Sequence, residues 1–290
     1  MSSTPAPSFV DPPADAVRDA VARALAEDLT PLGDLTSALL DPSATTAAVL
    51  AAREPGVLAG MACVAESFGQ VDPGIEVVPG RWDGDQLVAG DGIATISGRL
   101  SAVLAAERTA LNFAGHLSGI ASLTARYVAA AGAGGAAQVW DTRKTTPGLR
   151  SLEKAAVRAG GGRNHRGNLS DWILLKDNHI TGIGITEAVA RARDRWPART
   201  VHVECDRIEQ MVEAIEAGAT AVLLDNMTPA LVAECVAVAA RRCLLEVSGG
   251  VTLDTIAEYA ATGVDLISIG RITNSAPVLD IGLDIGPVTG

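Results

Sequence analysis

The stretch Asp141-Thr-Arg-Lys-Thr-Thr-Pro-Gly-Leu-Arg150, which continues through Gly160-Gly161-Gly162-Arg163-Asn164-His165-Arg166 to Ile173-Leu174-Leu175-Lys176-Asp177-Asn178-His179-Ile180, decides how this chain reads. An apolar run precedes each of its polar clusters: residues 136–140 lead into Arg143-Lys144, and Ile173-Leu174-Leu175 leads into Lys176. Both clusters have the pattern of the carboxyl end of a short buried strand, and loops after strand ends are where α/β proteins keep their ligands. All three lysines of the chain, Lys144, Lys154 and Lys176, fall here. From Thr142 to Lys176 eight basic residues (Arg143, Lys144, Arg150, Lys154, Arg158, Arg163, Arg166, Lys176) stand against two acidic ones, Glu153 and Asp171, in a chain of formal net charge -11. A run of charge also suits a solvated face. The strand-end positions, and a glycine triplet that lets backbone amides approach a ligand, favour instead a cleft that concentrates a small, multiply charged anion.

Working outward, strand candidates at 137–140, 173–175, 201–203, 221–224, 244–247 and 265–269 alternate with helical patterns at 151–159, 186–195, 207–217, 229–240 and 253–261. Such alternation implies parallel strands joined by right-handed crossovers. Nearly every strand candidate ends in polar or glycine residues: Asp141-Thr-Arg-Lys, Lys176-Asp-Asn-His, Glu204-Cys-Asp, Asp225-Asn, Ser248-Gly-Gly and Gly270-Arg. A barrel gathers these ends at one face, whereas an open sheet spreads them out. The fold class expected is therefore α/β, with a barrel over 117–275 that carries the site.

Upstream, Val17, Val21, Leu25 and Leu29 recur every four residues, which predicts an amphipathic helix over 14–29. Residues 45–100 hold short β-prone runs and one helix at 61–69, the pattern of a separate small α/β domain over 14–116, with 276–290 packing back on it. A long helical pattern over 101–131 is expected to break at Gly115–119, where Ser118 would cap a second helix. Residues 1–13 read as a disordered tail. The 48% hydrophobic content with only 3% aromatics predicts an aliphatic core, and a pI near 4.8 argues against nucleic acid. The four cysteines lack CxxC or metal-site spacing and read as reduced, which points to the cytoplasm. Neither a membrane span nor a signal peptide is evident, so no membrane partner is expected.

Glu204 and Asp225 end successive strands, where their carboxylates suit a hard divalent cation such as Mg²⁺ together with sugar or phosphate oxygens; a rim ion pair or helix cap is the plain alternative. Ser248-Gly249-Gly250, leading into a helix near 252–259, and Gly270 offer backbone amides for a phosphate monoester. These features together suit a phosphorylated sugar reacting with a second, anionic molecule. His165, in the basic loop, either meets that anion or only bonds backbone, and His116, His179 and His202 read as structural. Two rivals are a Schiff-base, aldolase-like barrel using Lys176, which needs an apolar setting for that amine, and a non-catalytic phosphosugar-binding barrel.

The blocks at 141–150, 160–166 and 175–180, with Val203-Glu204-Cys-Asp, Leu224-Asp225-Asn-Met, Glu246-Val-Ser-Gly-Gly-Val and Ile267-Ser-Ile-Gly270, resemble quinolinate phosphoribosyltransferases. The likeness extends to Gly33-Asp34-Leu-Thr and Glu107-Arg108-Thr-Ala-Leu-Asn. The resemblance implies an N-terminal α/β sandwich followed by an incomplete α/β barrel. It also implies conversion of quinolinate and phosphoribosyl pyrophosphate to nicotinate mononucleotide, pyrophosphate and CO₂, as in NAD biosynthesis; relatives acting on another aromatic carboxylate share the pattern. On this likeness Arg108, Thr142, Arg143, His165, Arg166 and Lys176 bind quinolinate, with Arg108 supplied by the other subunit of a homodimer that shares its sites and can build higher oligomers. Lys144, Glu204, Asp225, Ser248, Gly249, Gly250 and Gly270 handle the phosphoribosyl part and Mg²⁺, and Lys144, Lys176, Glu204 and Asp225 form the catalytic set. Arg271 and Asn274 depart from the family pattern, where a small residue and a histidine are expected, as do Arg163 and Asn168 flanking His165-Arg166.

Overall fold

A computed structural model describes residues 12–289. The tail expected to be disordered lies outside them, apart from Pro12 and Pro13. The chain divides into two compact units: one gathers the chain up to Ala125, Thr145–Gly161 and the chain from Ile272 onward, and the other Arg126–Lys144 and Gly162–Arg271.

In the first unit, helix α1 (Ala14–Leu29) buries Val17, Ala20, Val21 and Leu25 on one face. There follow β1 (Thr45–Ala52), β2 (Gly56–Val57), α2 (Met61–Val71), β3 (Glu76–Pro79), β4 (Gln86–Leu87) and β5 (Gly92–Arg99). Strand β1 alternates as its sequence predicts, with Thr46, Ala48 and Leu50 turned inward. Its core neighbours include Phe68, Ile93, Ile96 and Val103, each worth about 1.5–3 kcal/mol of burial.

Helix α3 (Leu100–Gly134) runs unbroken through the expected break. Its glycines are places of close approach: a Cβ at Gly119 would lie 2.0 Å from Pro277 O, and one at Gly115 would lie 2.9 Å from Leu279 O. Ser118 caps nothing; its hydroxyl accepts from Ala59 N–H at 3.0 Å.

Beyond α3 the alternation reads as expected: β6 (Gln138–Trp140), α4 (Arg150–Ala159), β7 (Ile173–Leu175), α5 (Asp177–Ile180), α6 (Ile185–Arg195), β8 (Val201–Cys205), α7 (Ile208–Glu216), β9 (Ala221–Asp225), α8 (Pro229–Ala239), β10 (Leu244–Ser248), α9 (Ile256–Ala261), β11 (Leu266–Ser268) and α10 (Arg271–Asn274). Six parallel strands form one sheet in the order β6-β11-β10-β9-β8-β7, which does not close. At its open edge Trp140 bridges Arg163 in parallel, with Arg163 N–H donating to Val139 O at 2.8 Å and Asp141 N–H to Arg163 O at 3.0 Å. The strands bury both faces, as parallel sheets do: Val203, Leu224, Val247 and Ile267 on one, His202, Leu223 and Glu246 on the other. Thr145–Gly161, including α4, clusters with the first unit, where buried Glu153 accepts from Thr146 N–H at 3.1 Å and meets His116 at 2.9 Å.

The last strand, β12 (Ile281–Thr289), pairs antiparallel with β1 to give a sheet of order β12-β1-β5-β3. Among the described residues no helix is long and apolar enough to cross a membrane.

Candidate active site

Strand register places the chemistry on one face of the parallel sheet. Ser248 pairs with Asp225 and Ser268, Ser268 with Trp140, and Leu174 with His202. Because side chains alternate along a strand, Trp140, Glu204, Asp225, Glu246, Ser248 and Ser268 all share that face with His202. At its carboxyl edge Lys176 Nζ forms an ion pair with Glu204 Oε2, joining the ends of β7 and β8. Lys176 is thus a half-exposed ammonium on a carboxylate, which is not the apolar setting of a Schiff-base lysine.

Asp225 ends β9, and its Oδ2 accepts from Asn226 Nδ2 at 2.7 Å. Asn226 (φ 55°) also donates its N–H to Ser248 O at 2.9 Å. Gly249 (φ +92°) lies against it so closely that a Cβ would meet Asn226 Oδ1 at 2.2 Å, so only glycine fits there. The Ser248-Gly249-Gly250 turn is thereby stitched to Asp225. It does not open directly into a helix, as the sequence suggested: α9 begins only at Ile256, because Thr252 and Thr255 form a side-chain turn first. Any amides offered to an anion come from the glycine turn itself. Gly270 sits by the basic loop, where a Cβ would meet Lys144 Cδ at 3.0 Å and Thr142 Oγ1 at 3.6 Å. Thr142 Oγ1 in turn accepts from Lys144 N–H at 3.0 Å.

The cationic part is built by Asp141, which is wholly buried. Its carboxylate accepts from His165 N–H and from Asn164 Nδ2, both at 2.7 Å. That fixes the start of Asn164-His165-Arg166. Arg166 is buried, and burial together with the charge of nearby Arg143 pushes its guanidinium below its ordinary pKa, while Asp171 and Glu246 oppose the shift. A buried guanidinium within the electrostatic range of a second one suits a multiply charged anion.

Below lies a cluster that the sequence did not reveal. Glu246, wholly buried on β10, has its Oε2 3.3 Å from His165 Nε2 and 3.8 Å from His202 Nδ1, and its Oε1 accepts from Ser268 Oγ. Burial opposes ionisation of Glu246, but the two imidazoles and Ser268 outweigh it and hold the carboxyl at about 2. Trp172 stacks on His202 at 5.2 Å and meets His165 edge-on at 4.8 Å. His202, read as structural, is a member of this cluster. The available signal was a lone carboxylate inside the apolar run 244–247, in phase with Ser248.

Arg108 is exposed on α3 in the first unit, where it lines a cleft with Asn112 and Asp280. His116 is structural, bound to Glu153, and His179 Nδ1 accepts from Lys176 N–H at 3.0 Å at the start of α5.

Comparison with known proteins agrees with this architecture. Residues 34–118 match the family model described as the quinolinate phosphoribosyl transferase N-terminal domain, and 120–284 match the C-terminal domain. The chain is 41% identical over 280 residues to the nicotinate-nucleotide pyrophosphorylase [carboxylating] of Mycobacterium leprae, covering 93% of this chain and 98% of that one. It is 35% identical over 300 residues to quinolinate phosphoribosyltransferase [decarboxylating] 1 of Nicotiana glauca, covering 95% and 85%. The solved nicotinate-nucleotide pyrophosphorylase of Francisella tularensis superposes with a TM-score of 0.93 at 36% identity, over 97% of this chain and all of that one. With both domains matched in order along one chain, the protein belongs to the quinolinate phosphoribosyltransferase family.

Proposed function

We infer that this chain transfers the phosphoribosyl group of phosphoribosyl pyrophosphate to the ring nitrogen of quinolinate, with release of pyrophosphate and CO₂ to give nicotinate mononucleotide. The observation that carries the reading is the loop anchored on Asp141, whose wholly buried carboxylate accepts from Asn164 Nδ2 and His165 N–H just ahead of buried Arg166, with the charge of Arg143 acting on that guanidinium. A ring bearing adjacent carboxylates answers that arrangement, and bidentate arginine contacts fix its plane.

In this reading Arg143, Arg166, His165 and Thr142 hold the two carboxylates, and Lys176 turns from Glu204 toward the ligand. That points the ring nitrogen at the sugar carbon, so that much of the barrier is met by orientation. Glu204 and Asp225 face the positive charge that develops there as pyrophosphate departs. Ser248, Gly249, Gly250, Gly270 and Lys144 hold the sugar phosphate. Once ribosylated, the cationic ring nitrogen stabilises the electron pair left on the adjacent ring carbon as its carboxylate departs as CO₂, and that carbon then takes a proton from solvent, so no organic cofactor is required. Glu204 and Asp225 offer only oxygen donors from one face at neighbouring strand ends, which fits Mg²⁺; when bound, it neutralises the departing diphosphate. Arg108 acts across a two-fold interface in a homodimer. The four cysteines are free, in keeping with a cytoplasmic enzyme. The test is a coupled assay for nicotinate mononucleotide from quinolinate with nicotinic acid as comparison; turnover of nicotinic acid alone overturns the reading.

A further inference from the structure

The buried cluster under the basic loop has a geometry that ion pairing does not account for. His165 Nε2, His202 Nδ1 and Glu246 Oε2 all lie within 4.8 Å of one another, and all three residues are buried. Among the described residues no hydrogen bond of good geometry reaches His202 Nδ1 or Glu246 Oε2. Leaving such atoms bare in the interior is costly, so each such atom calls for an explanation. Nor do 3.3 and 3.8 Å from Glu246 Oε2 to the two ring nitrogens bring either close to the ideal length of a charge-assisted hydrogen bond.

A tetrahedral metal removes the difficulty. With metal–ligand bonds of about 2.0 Å, two ligand atoms on a tetrahedral Zn²⁺ sit about 3.3 Å apart. That is the spacing between His165 Nε2 and Glu246 Oε2; His202 Nδ1 stands 3.8 Å from Glu246 Oε2 and within 4.8 Å of the other imidazole, so its ring moves inward when the metal binds. We propose that His165, His202 and Glu246 form a three-ligand site for a borderline divalent metal of the Zn²⁺ class, separate from the carboxylate pair Glu204 and Asp225. Two imidazoles and a carboxylate are donors that select zinc-like ions over Mg²⁺. The outer shell is present as well: Ser268 Oγ donates to the other oxygen of Glu246, and Trp172 stacks on the His202 ring and fixes its plane. Three protein ligands leave a fourth position open. Arg166 lies within electrostatic reach of Glu246, so the group that completes the site is water or the carboxylate of an anionic ligand.

The test is direct binding to the full chain, stripped of metal, and needs no activity. Co²⁺ titration followed by visible absorption reads the geometry, and calorimetry with Zn²⁺ reads the stoichiometry. The expected result is one equivalent bound with tetrahedral cobalt bands and no displacement by excess Mg²⁺. His202→Ala and Glu246→Gln should abolish the bands, and Ser268→Ala should weaken Zn²⁺ binding by about 10–100-fold. A thermal melt confirms that each variant is folded; if one is not, the other two decide. Absence of tetrahedral bands in the native chain, or bands unchanged in the folded variants, overturns the proposal.

Discussion

Asp141 Oδ1 accepts the backbone N–H of His165 at 2.7 Å across an interval of 24 residues, and its second oxygen holds Asn164. A single buried carboxylate thus sets where the imidazole and Arg166 start. Asp141→Ala removes the acceptor of both donors at a wholly buried position. It should lower stability by about 2–4 kcal/mol, measured by urea unfolding, and raise KM for quinolinate. An unchanged midpoint would show that the bonds carry no weight.

The Lys176–Glu204 pair predicts non-additivity. Lys176→Ala and Glu204→Ala should each lower kcat by about 10²–10³, with the double variant falling well short of the product of the two losses. In stability the coupling should be small, about 0.5–1 kcal/mol, because Lys176 is 43% exposed and water screens the pair. Asp225→Ala should match Glu204→Ala in kcat, and removal of Mg²⁺ by a chelator should stop turnover until Mg²⁺ is restored. Additive losses, or turnover that survives chelation, speak against the roles given to these residues.

Helix α3 carries a contrast within one element. Gly119→Ala drives a methyl into Pro277 O and should cost about 1–3 kcal/mol or more, whereas Gly132→Ala meets nothing within 4 Å and should stabilise by about 0.5–1 kcal/mol. Thermal melts of the two variants should move in opposite directions.

Glu246 predicts an acid limb. Its carboxyl lies at about 2 against an ordinary 4.5, so the fold favours its charged form. The resulting stability, about 3 kcal/mol, is fully present above pH 4.5 and is lost as pH falls toward 2. Glu246→Gln should flatten the urea-stability profile in that window. If the native and variant profiles run parallel there, the assignment fails.

Arg108 tests the shared site. Mixing inactive Arg108→Ala and Lys176→Ala chains under conditions of subunit exchange should restore activity, since each mixed dimer contains one intact site. Confirmed exchange without recovered activity rules out a site shared in this way.

How much of this was legible in the sequence depended on which signal each residue left. Strand ends announced themselves because a parallel strand buried on both faces is an apolar run with an abrupt polar end, as at Ile173-Leu174-Leu175-Lys176. Gly115 and Gly119 misled because glycine serves equally to stop a helix and to admit a close neighbour, and Pro277, the neighbour at Gly119, is remote in sequence. Glu246 and His202 were missed because each sits inside an apolar run; their partnership depends on strands more than 40 residues apart coming into one sheet.

The pairing of β1 with β12 sets the order in which the molecule is completed during synthesis. Thr45 finds its partner at Thr289, so the antiparallel sheet lacks one of its strands until residues 281–289 have left the ribosome. The six parallel strands need nothing beyond Ser268. The sheet that holds β1 is therefore completed after the parallel sheet that follows it in the chain, and until then β1 presents an unpaired edge on the side that β12 will cover.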